Sequence, residues 1–237
     1  MPLRFLISES ISDGQSISLA ADRAHYLTKV MRHKVGDIIE CFDGNGTLFD
    51  AQLTDVGNKR CTVMVREVKA VQQRPTIGLH LGISLLKGQA MDRAIQQATE
   101  LGASSICLLN ANRCNVHLTA DRLDKKMSHW EKIIAGACEQ SGQLFLPTLT
   151  APQPLEHLLD SADTEIIILD MHGNKLPSTL PKVERLLLMG PEGGWDDDER
   201  SLFAAHQLPC YQLTASTLRA ETVPSVALAL FSHLQQL

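Results

Sequence analysis

A proline set among glycines and beside carboxylates is the feature of this sequence best suited to chemistry: Gly190-Pro191-Glu192-Gly193-Gly194. Pro191 has no N–H and so ends a sheet ladder. Gly193 and Gly194 permit positive φ and let a ligand approach the main chain. Asp196 suits an N-cap, and Glu199 stands three residues on, as in a capping box. The segment therefore reads strand, glycine turn, helix. A plain βα turn uses the same glycines, so the turn alone does not assign a ligand. Its acidic neighbours make it a poor host for phosphate and suit a neutral or cationic ligand better. Two other segments also follow short apolar runs: Leu169-Asp170-Met171-His172-Gly173, and Leu213-Thr214-Ala215-Ser216-Thr217-Leu218. The second leads into Arg219-Ala220-Glu221-Thr222. In open α/β sheets, ligands sit beyond the carboxyl ends of strands.

Several other chemistries are excluded. No phosphate-binding G-x-x-x-x-G-K-[ST] and no dinucleotide G-x-G-x-x-G occurs. Asp43-Gly44-Asn45-Gly46 lacks the ligands that complete a calcium loop. Cys114 and His117 have a ligand-like spacing, but no second pair completes a site, so no metal is expected. The six cysteines form no C-x-x-C pair and read as reduced thiols. Neither a cleavable leader nor a bilayer-length apolar run is seen, so a soluble, cytoplasmic protein is expected. The net charge of −5 argues against indiscriminate nucleic-acid binding. Between Asp22 and Lys34, however, Arg23, Lys29, Arg32 and Lys34 make a locally basic stretch, suited to a selective RNA ligand.

The elements that must position these residues fall into two patterns. Up to residue 70 the chain reads as short strands, at Leu3–Ile7, Ile38–Phe42, Thr47–Leu53 and Cys61–Val65. A hairpin signal lies at Asp43–Gly46, and a single helix is expected over Ala21–Arg32. This predicts a small β-barrel. The polar segment leading to Pro75 is the expected linker, placed at 71–75. From 76 to 237, strands alternate with helices, which predicts a parallel α/β sheet. Strands are expected at Ile77–Leu86, Ser105–Leu109, Glu165–Leu169 and Leu186–Met189. One helix stripe is Met91, Ile95, Ala98, Leu101, closed by Gly102; a second runs from Leu123 through Met127, Trp130 and Ile134 to Ala137, closed by Gly142. A last helix is expected at Val223–Leu234. Both stripes are read as core.

In order and spacing, several motifs together resemble the RsmE family of 16S rRNA (uracil-N3) methyltransferases, of the SPOUT superfamily. They are His25–Arg32, Lys87-Gly88 with Met91-Asp92, Gln96–Gly102, Asn112-Arg113-Cys114, Trp130–Ile133, Ala137–Gly142, Met189–Gly194 and Leu218–Thr222. The resemblance covers nearly the whole chain. It implies a PUA-like β-barrel, then a trefoil-knotted SPOUT domain, a homodimer, and 16S rRNA of the small ribosomal subunit as partner. S-adenosylmethionine is the implied cofactor. The three loops would hold it through Leu169, Met171, His172, Gly173, Met189, Gly190, Glu192, Gly193, Gly194, Leu213, Ala215, Thr217 and Leu218. This sequence departs from the family's pattern at Gln97, Gln143 and Ser216, which lowers the positive charge of the expected RNA face, and at Thr214, where the family's cofactor loop usually has a glycine.

The implied reaction moves a methyl group from sulfonium to N3 of a uridine. Arg219 is the candidate for stabilising charge on the uracil oxygens. Glu221 or Glu192 is the candidate proton acceptor, and His172 is a base by type. An Arg219–Glu221 ion pair that shapes the loop is the structural alternative. Arg4, Arg23, Lys29, Arg32 and Arg113 are candidate phosphate contacts. Two other readings remain open: an RNA-binding module with a decayed methyltransferase site, and a SPOUT methyltransferase with a different RNA substrate.

Overall fold

The computed structural model describes all residues except 1–3, 8–10, 20, 58–59, 117, 162 and 237. Leu3, at the head of the first expected strand, and His117 lie outside the described residues. The chain divides into two units.

The first unit comprises Met1–Arg74 together with Cys138–Leu146. Its elements are β1 (Arg4–Leu6), β2 (Ser16–Leu19), α1 (Ala21–His25), β3 (Ile38–Phe42), β4 (Thr47–Val56) and β5 (Cys61–Val71). They form a five-stranded sheet in the order β1-β3-β4-β5-β2. Alternating side chains of these strands, with Leu27, build its core: Phe5, Ile17, Ile39, Phe49, Leu53 and Val63 are all buried. The β3–β4 hairpin closes where expected. The Asp43 carboxylate accepts from the backbone N–H groups of Asn45 (2.7 Å) and Thr47 (3.0 Å), and Gly44 and Gly46 take positive φ.

Three details depart from the sequence reading. The expected helix over Ala21–Arg32 stops at His25 and passes into a π-helical turn, Tyr26–Val30. There the Thr28 hydroxyl donates to the Ala24 carbonyl (2.8 Å), a local bond that bends helices. Strand β5 runs on through Val71, which pairs with Thr47, so the linker expected to begin at residue 71 begins later. Lys69 in that extension pairs with Glu40 (2.6 Å) and Asp50 (3.4 Å). Finally, Cys138–Leu146 belongs to this unit because polar bonds tie it there. Glu139 accepts from the Leu6 N–H (2.9 Å) and pairs with Arg23, and Arg4 donates to the Gly142 carbonyl (2.8 Å). Phe145 lies under the Arg74 guanidinium, 5.0 Å from the ring centre.

The second unit comprises Pro75–Ala137 and Pro147–Leu237. Its elements are β6 (Leu79–Ser84), α2 (Gln89–Glu100), β7 (Ser105–Asn110), α3 (Ala120–Ser141, its last turn counted with the first unit), β8 (Thr148–Pro154), α4 (Leu155–Ser161), β9 (Glu165–Lys175), β10 (Arg185–Met189), α5 (Asp197–Ala205), β11 (Cys210–Gln212) and α6 (Val223–Gln235). The sheet order is β11-β9-β10-β6-β7-β8, and every paired neighbour is parallel. The central strands are continuous apolar runs, as strands covered on both faces require. Met91, Ile95, Ala98, Trp130 and Ile134 are buried, so the two helix stripes are core. Leu123 and Met127 are half-buried, and Leu101 is left exposed where α2 ends and Gly102 turns with φ of 78°.

Strands β2, β8 and β11 and helix α4 were not expected from the sequence. Strand β9 is longer than expected. It pairs with β10 as far as Leu169↔Met189, then continues to Lys175, where Asn174 and Lys175 pair with Tyr211 and Gln212 of β11. Residues 169–173 are therefore strand and not a terminal loop. No helix among the described residues is long and apolar enough to cross a membrane.

Candidate functional site

The site is assembled at the carboxyl end of β10 and beside the second half of β9, within the second unit. Strand β10 ends at Met189, whose carbonyl accepts from the Ser84 hydroxyl (3.0 Å) of the neighbouring strand β6. The glycine turn follows, closed by the Gly194 N–H donating to the Pro191 carbonyl (2.9 Å). Gly194 takes φ of 66°, a conformation that favours glycine. Gly190 is closely packed for a different reason. A Cβ there would stand 3.2 Å from the Trp195 ring. Trp195 is buried, packs edge-on against Phe203 with ring centres 5.0 Å apart, and donates its indole N–H to the Leu169 carbonyl (3.1 Å). One side chain thus fixes the glycine turn against the core and ties it to β9.

The capping box forms as the sequence predicts. Asp196 accepts from the Glu199 N–H, and Glu199 accepts from the Asp196 N–H, both at 2.8 Å. The bond from the Glu199 backbone, helped by the Asn112 side chain, holds the Asp196 carboxyl below the usual carboxylate range. The buried Glu199 also accepts from the Asn112 N–H (2.8 Å), which brings the chain after β7 against the start of α5.

On β9, the Asp170 side chain is 6% exposed and pairs with Arg200 of α5 at 2.9 Å. That pairing raises the Arg200 pKa. Asp170 also accepts from the His172 N–H (2.9 Å). Gly173 lies where β11 comes close: a Cβ there would stand 2.7 Å from the main-chain N and C of Tyr211. In the third segment, the Thr214 hydroxyl donates to the Ser216 carbonyl (2.7 Å), closing the loop on itself. Arg219 precedes a 3-10 turn, Ala220–Thr222, that runs directly into α6. Arg219 is exposed and Glu221 half-buried. Among the described residues neither carries an ion pair, so the Arg219–Glu221 pair weighed from the sequence does not form.

The three segments enclose one cavity of about 590 Å³. Of the residues singled out in the first segment, Leu169, Met171 and His172 line it. From the glycine turn come Met189, Gly190, Glu192, Gly193 and Gly194; from the third come Leu213, Thr217, Leu218, Arg219 and Glu221. Gly173 and Ala215 lie outside its wall. Sequence reasoning gave no role to Asp170, Trp195 or Arg200, which also line it. Trp195 had a local signal, a large apolar residue directly between a glycine turn and an acidic run. The Asp170–Arg200 pair had none, because its partners are thirty positions apart. Glu192 is exposed and accepts weakly from the Lys87 N–H (3.3 Å). The cavity therefore presents main-chain edges, an unpaired arginine and an unpaired carboxylate around one volume. That set can bind a small molecule and take up a proton from a second one.

The five candidate phosphate contacts separate. Arg4 pairs with Glu40 (3.0 Å) and bonds to Gly142. Arg23 pairs with Glu139 and lies over Phe5, 5.8 Å from the ring centre. Both guanidiniums are paired with carboxylates of the first unit. Lys29 and Arg32 are exposed in and just after the π-helical turn. Arg113 belongs to the second unit. It lines the cavity and donates to the Gly193 carbonyl (3.2 Å). The departures from the expected pattern at 97 and 143 are both accommodated: Gln97 accepts from the Ser225 hydroxyl (2.8 Å), and the Gln143 N–H donates to the Ser141 hydroxyl (3.4 Å). Among the described residues no cluster of three or more His, Cys, Asp or Glu side chains is placed to hold a metal.

Residues 72–232 match the family profile of an RNA methyltransferase domain, and residues 19–65 that of an RNA methyltransferase PUA domain. The chain is 30% identical to ribosomal RNA small subunit methyltransferase E of Synechocystis over 97% of its own length and 77% of the relative's. It is 27% identical to the protein of the same name in Bacillus subtilis, over 98% and 95%. In structure it is similar to ribosomal RNA small subunit methyltransferase E of Neisseria gonorrhoeae bound to S-adenosylmethionine. The TM-score is 0.89 and the identity 27%, with 99% of this chain and 98% of that one covered. A Legionella pneumophila protein solved with the same cofactor gives a TM-score of 0.90 at 28% identity, covering 98% of each chain.

Proposed function

Because this chain belongs to the RsmE family of RNA methyltransferases, we propose that it methylates N3 of a uridine in 16S rRNA with S-adenosylmethionine as donor. Dependence on S-adenosylmethionine and action on ribosomal RNA follow from the family; the acceptor atom and the residue roles are our reading. The observation that carries it is the convergence of three segments of the second unit on one cavity.

The residues present fit the cofactor. A cavity of about 590 Å³ lies in the range of small-molecule sites, ~300–1,000 Å³. The main chain of Gly193 and Gly194 has no side chain to keep an adenosine away, while Leu169, Met189, Leu213 and Leu218 supply apolar walls. Asp170 and Glu192 give the wall carboxylates that tolerate a positive sulfonium. When bound, S-adenosylmethionine supplies the methyl group as an electrophilic carbon.

The chain's own residues do the rest. The glycine turn, pinned by Trp195, would hold the donor in one orientation, ready for alignment with the acceptor nitrogen. Alignment of this kind contributes on the order of 7–11 kcal/mol. Glu221 takes the N3 proton. It lines the cavity and has no ion-pair partner among the described residues, whereas Glu192 is bonded to the Lys87 N–H. Loss of that proton leaves negative charge on the uracil oxygens, and Arg219 faces the same cavity to stabilise it. The N3–carbon bond forms as the carbon–sulfur bond breaks, and the proton stays on Glu221. Because N3 lies on the pairing edge, the uridine is taken unpaired or flipped out. Lys29 and Arg32 of the first unit are the remaining surface cations proposed to meet phosphates. The homodimer, the trefoil knot and the cytoplasmic location common to the resemblance are proposed on the same basis.

The test is incubation of small-subunit RNA, free and in assembled particles, with the protein and labelled donor, followed by nucleoside mass spectrometry. A labelled N3-methyluridine is expected. Label in any other nucleoside would favour an enzyme of different substrate. Retained RNA binding with no cofactor binding would favour the decayed-site reading.

A further inference from the structure

Arg113 stands among the cations that a sequence reading assigns to RNA phosphates, but its surroundings are those of the cavity wall. Its guanidinium Nη1 donates to the Gly193 carbonyl (3.2 Å), and its stem covers the same glycine: a Cβ on Gly193 would meet the Arg113 Cβ at 3.2 Å. The residue before it is held as firmly. The Asn112 N–H donates to buried Glu199 (2.8 Å). Cys114 follows, its thiol directed at the Leu85 carbonyl (3.2 Å). The chain after β7 is therefore fixed at 112 by the cap of α5 and at 114 by the end of β6. Arg113 projects between these anchors onto the glycine turn, at the cavity wall.

We propose that Arg113 is a positioning residue for the glycine turn: it holds the Gly193 peptide in the orientation that receives the methyl donor. This rests on the function proposed above. The geometry favours this role over a phosphate contact on two grounds. The guanidinium is already directed at a main-chain acceptor of the cavity, and its neighbours on both sides are locked by carboxylate and carbonyl bonds, which leaves little freedom to follow an RNA backbone. Lysine does not replace it. A single ammonium lacks the planar fork that reaches a carbonyl while the stem lies flat on a glycine.

The experiment is calorimetric titration of the full-length protein and its Arg113→Ala and Arg113→Lys variants with S-adenosylmethionine. RNA affinity is measured at several salt concentrations without cofactor, and the Tm of each variant is recorded. Both substitutions should weaken cofactor binding by about tenfold, equivalent to about 1.4 kcal/mol. RNA affinity and its salt dependence should match the wild type, with Tm nearly unchanged. A lysine variant with full cofactor affinity would overturn the proposal, because charge alone would then suffice. Unchanged cofactor affinity with a salt slope reduced by about one would also overturn it, and would return Arg113 to phosphate binding. Failure of the wild-type protein itself to bind the cofactor would overturn the proposed function, and this role with it.

Discussion

Replacing Glu199 by alanine should destabilise the second unit by about 2–4 kcal/mol, from loss of two charge-assisted bonds. Glu199 is 4% exposed. Its Oε2 accepts from the Asp196 N–H and its Oε1 from the Asn112 N–H, each at 2.8 Å. Hydrogen bonds to charged groups contribute roughly 1.5–3 kcal/mol each, and a donor left buried without a partner costs about 1–3 kcal/mol. Two such bonds sum to about 3–6 kcal/mol, and relaxation with water entry on the Asn112 side lowers the expected loss to about 2–4 kcal/mol. At about 2–4 °C per kcal/mol for a protein of this size, Tm should fall by about 4–16 °C. Glu199→Gln keeps one acceptor oxygen and should lose roughly half as much. Urea denaturation read by tryptophan fluorescence is a suitable assay, since Trp195 lies four residues from the substitution and is buried. A midpoint within experimental error of wild type for Glu199→Ala would refute the reasoning. So would an equal loss in both variants, because the charge and not the two-point geometry would then be decisive.

The cap has a pH signature. Asp196 has a depressed pKa in the fold, so its contribution is fully present above the unfolded carboxylate value and is lost as pH falls through the folded one. Glu40 behaves alike: burial pushes its carboxyl up, but Lys69 and Arg4 outweigh this and hold it down. Acid titration of stability should therefore steepen below about pH 4, and Asp196→Asn should flatten the slope; an unaltered slope would remove Asp196 from the account. Arg219→Ala should lower kcat by about 10²–10³-fold with cofactor affinity retained. Glu221→Gln should lower kcat by about 10²–10⁴-fold, the contribution of a general base; a full rate in either variant would exclude its proposed role. Gly173→Ala, with a Cβ 2.7 Å from the Tyr211 main chain, should detach β11 and increase amide exchange at residues 174–175, and native exchange there would contradict the packing described.

Much of the second unit was legible because it is written locally. The apolar runs of β6, β7, β9 and β10 announce a parallel sheet, and Asp196 with Glu199 announces a helix start that the structure reproduces bond for bond. Strands β2, β8 and β11 were not legible. They are short or carry prolines, and sheet pairing rather than their own composition makes them strands. The extension of β9 was hidden for the same reason, since its polar end is extended only because β11 lies beside it. The site was legible as three segments, but the division of labour among its charges was not. Asp170 with Arg200 and Arg23 with Glu139 are pairs between distant positions, and composition alone cannot say which cation is already neutralised. The carboxylate partners of Arg4 and Arg23 were hidden for the same reason.

The membership of Cys138–Leu146 in the first unit has a consequence for synthesis. The strands of that unit leave the ribosome early, yet Arg23 has no Glu139 and Gly44 no Leu146 until about seventy more residues have followed. At roughly 5–20 residues per second, that is an interval of several seconds. During it the β-rich portion must wait, partly assembled, while most of β6 through α3 emerges. The two units thus cannot be completed in chain order, and a fragment cut at the linker would carry an unfinished surface where residues 139–146 belong.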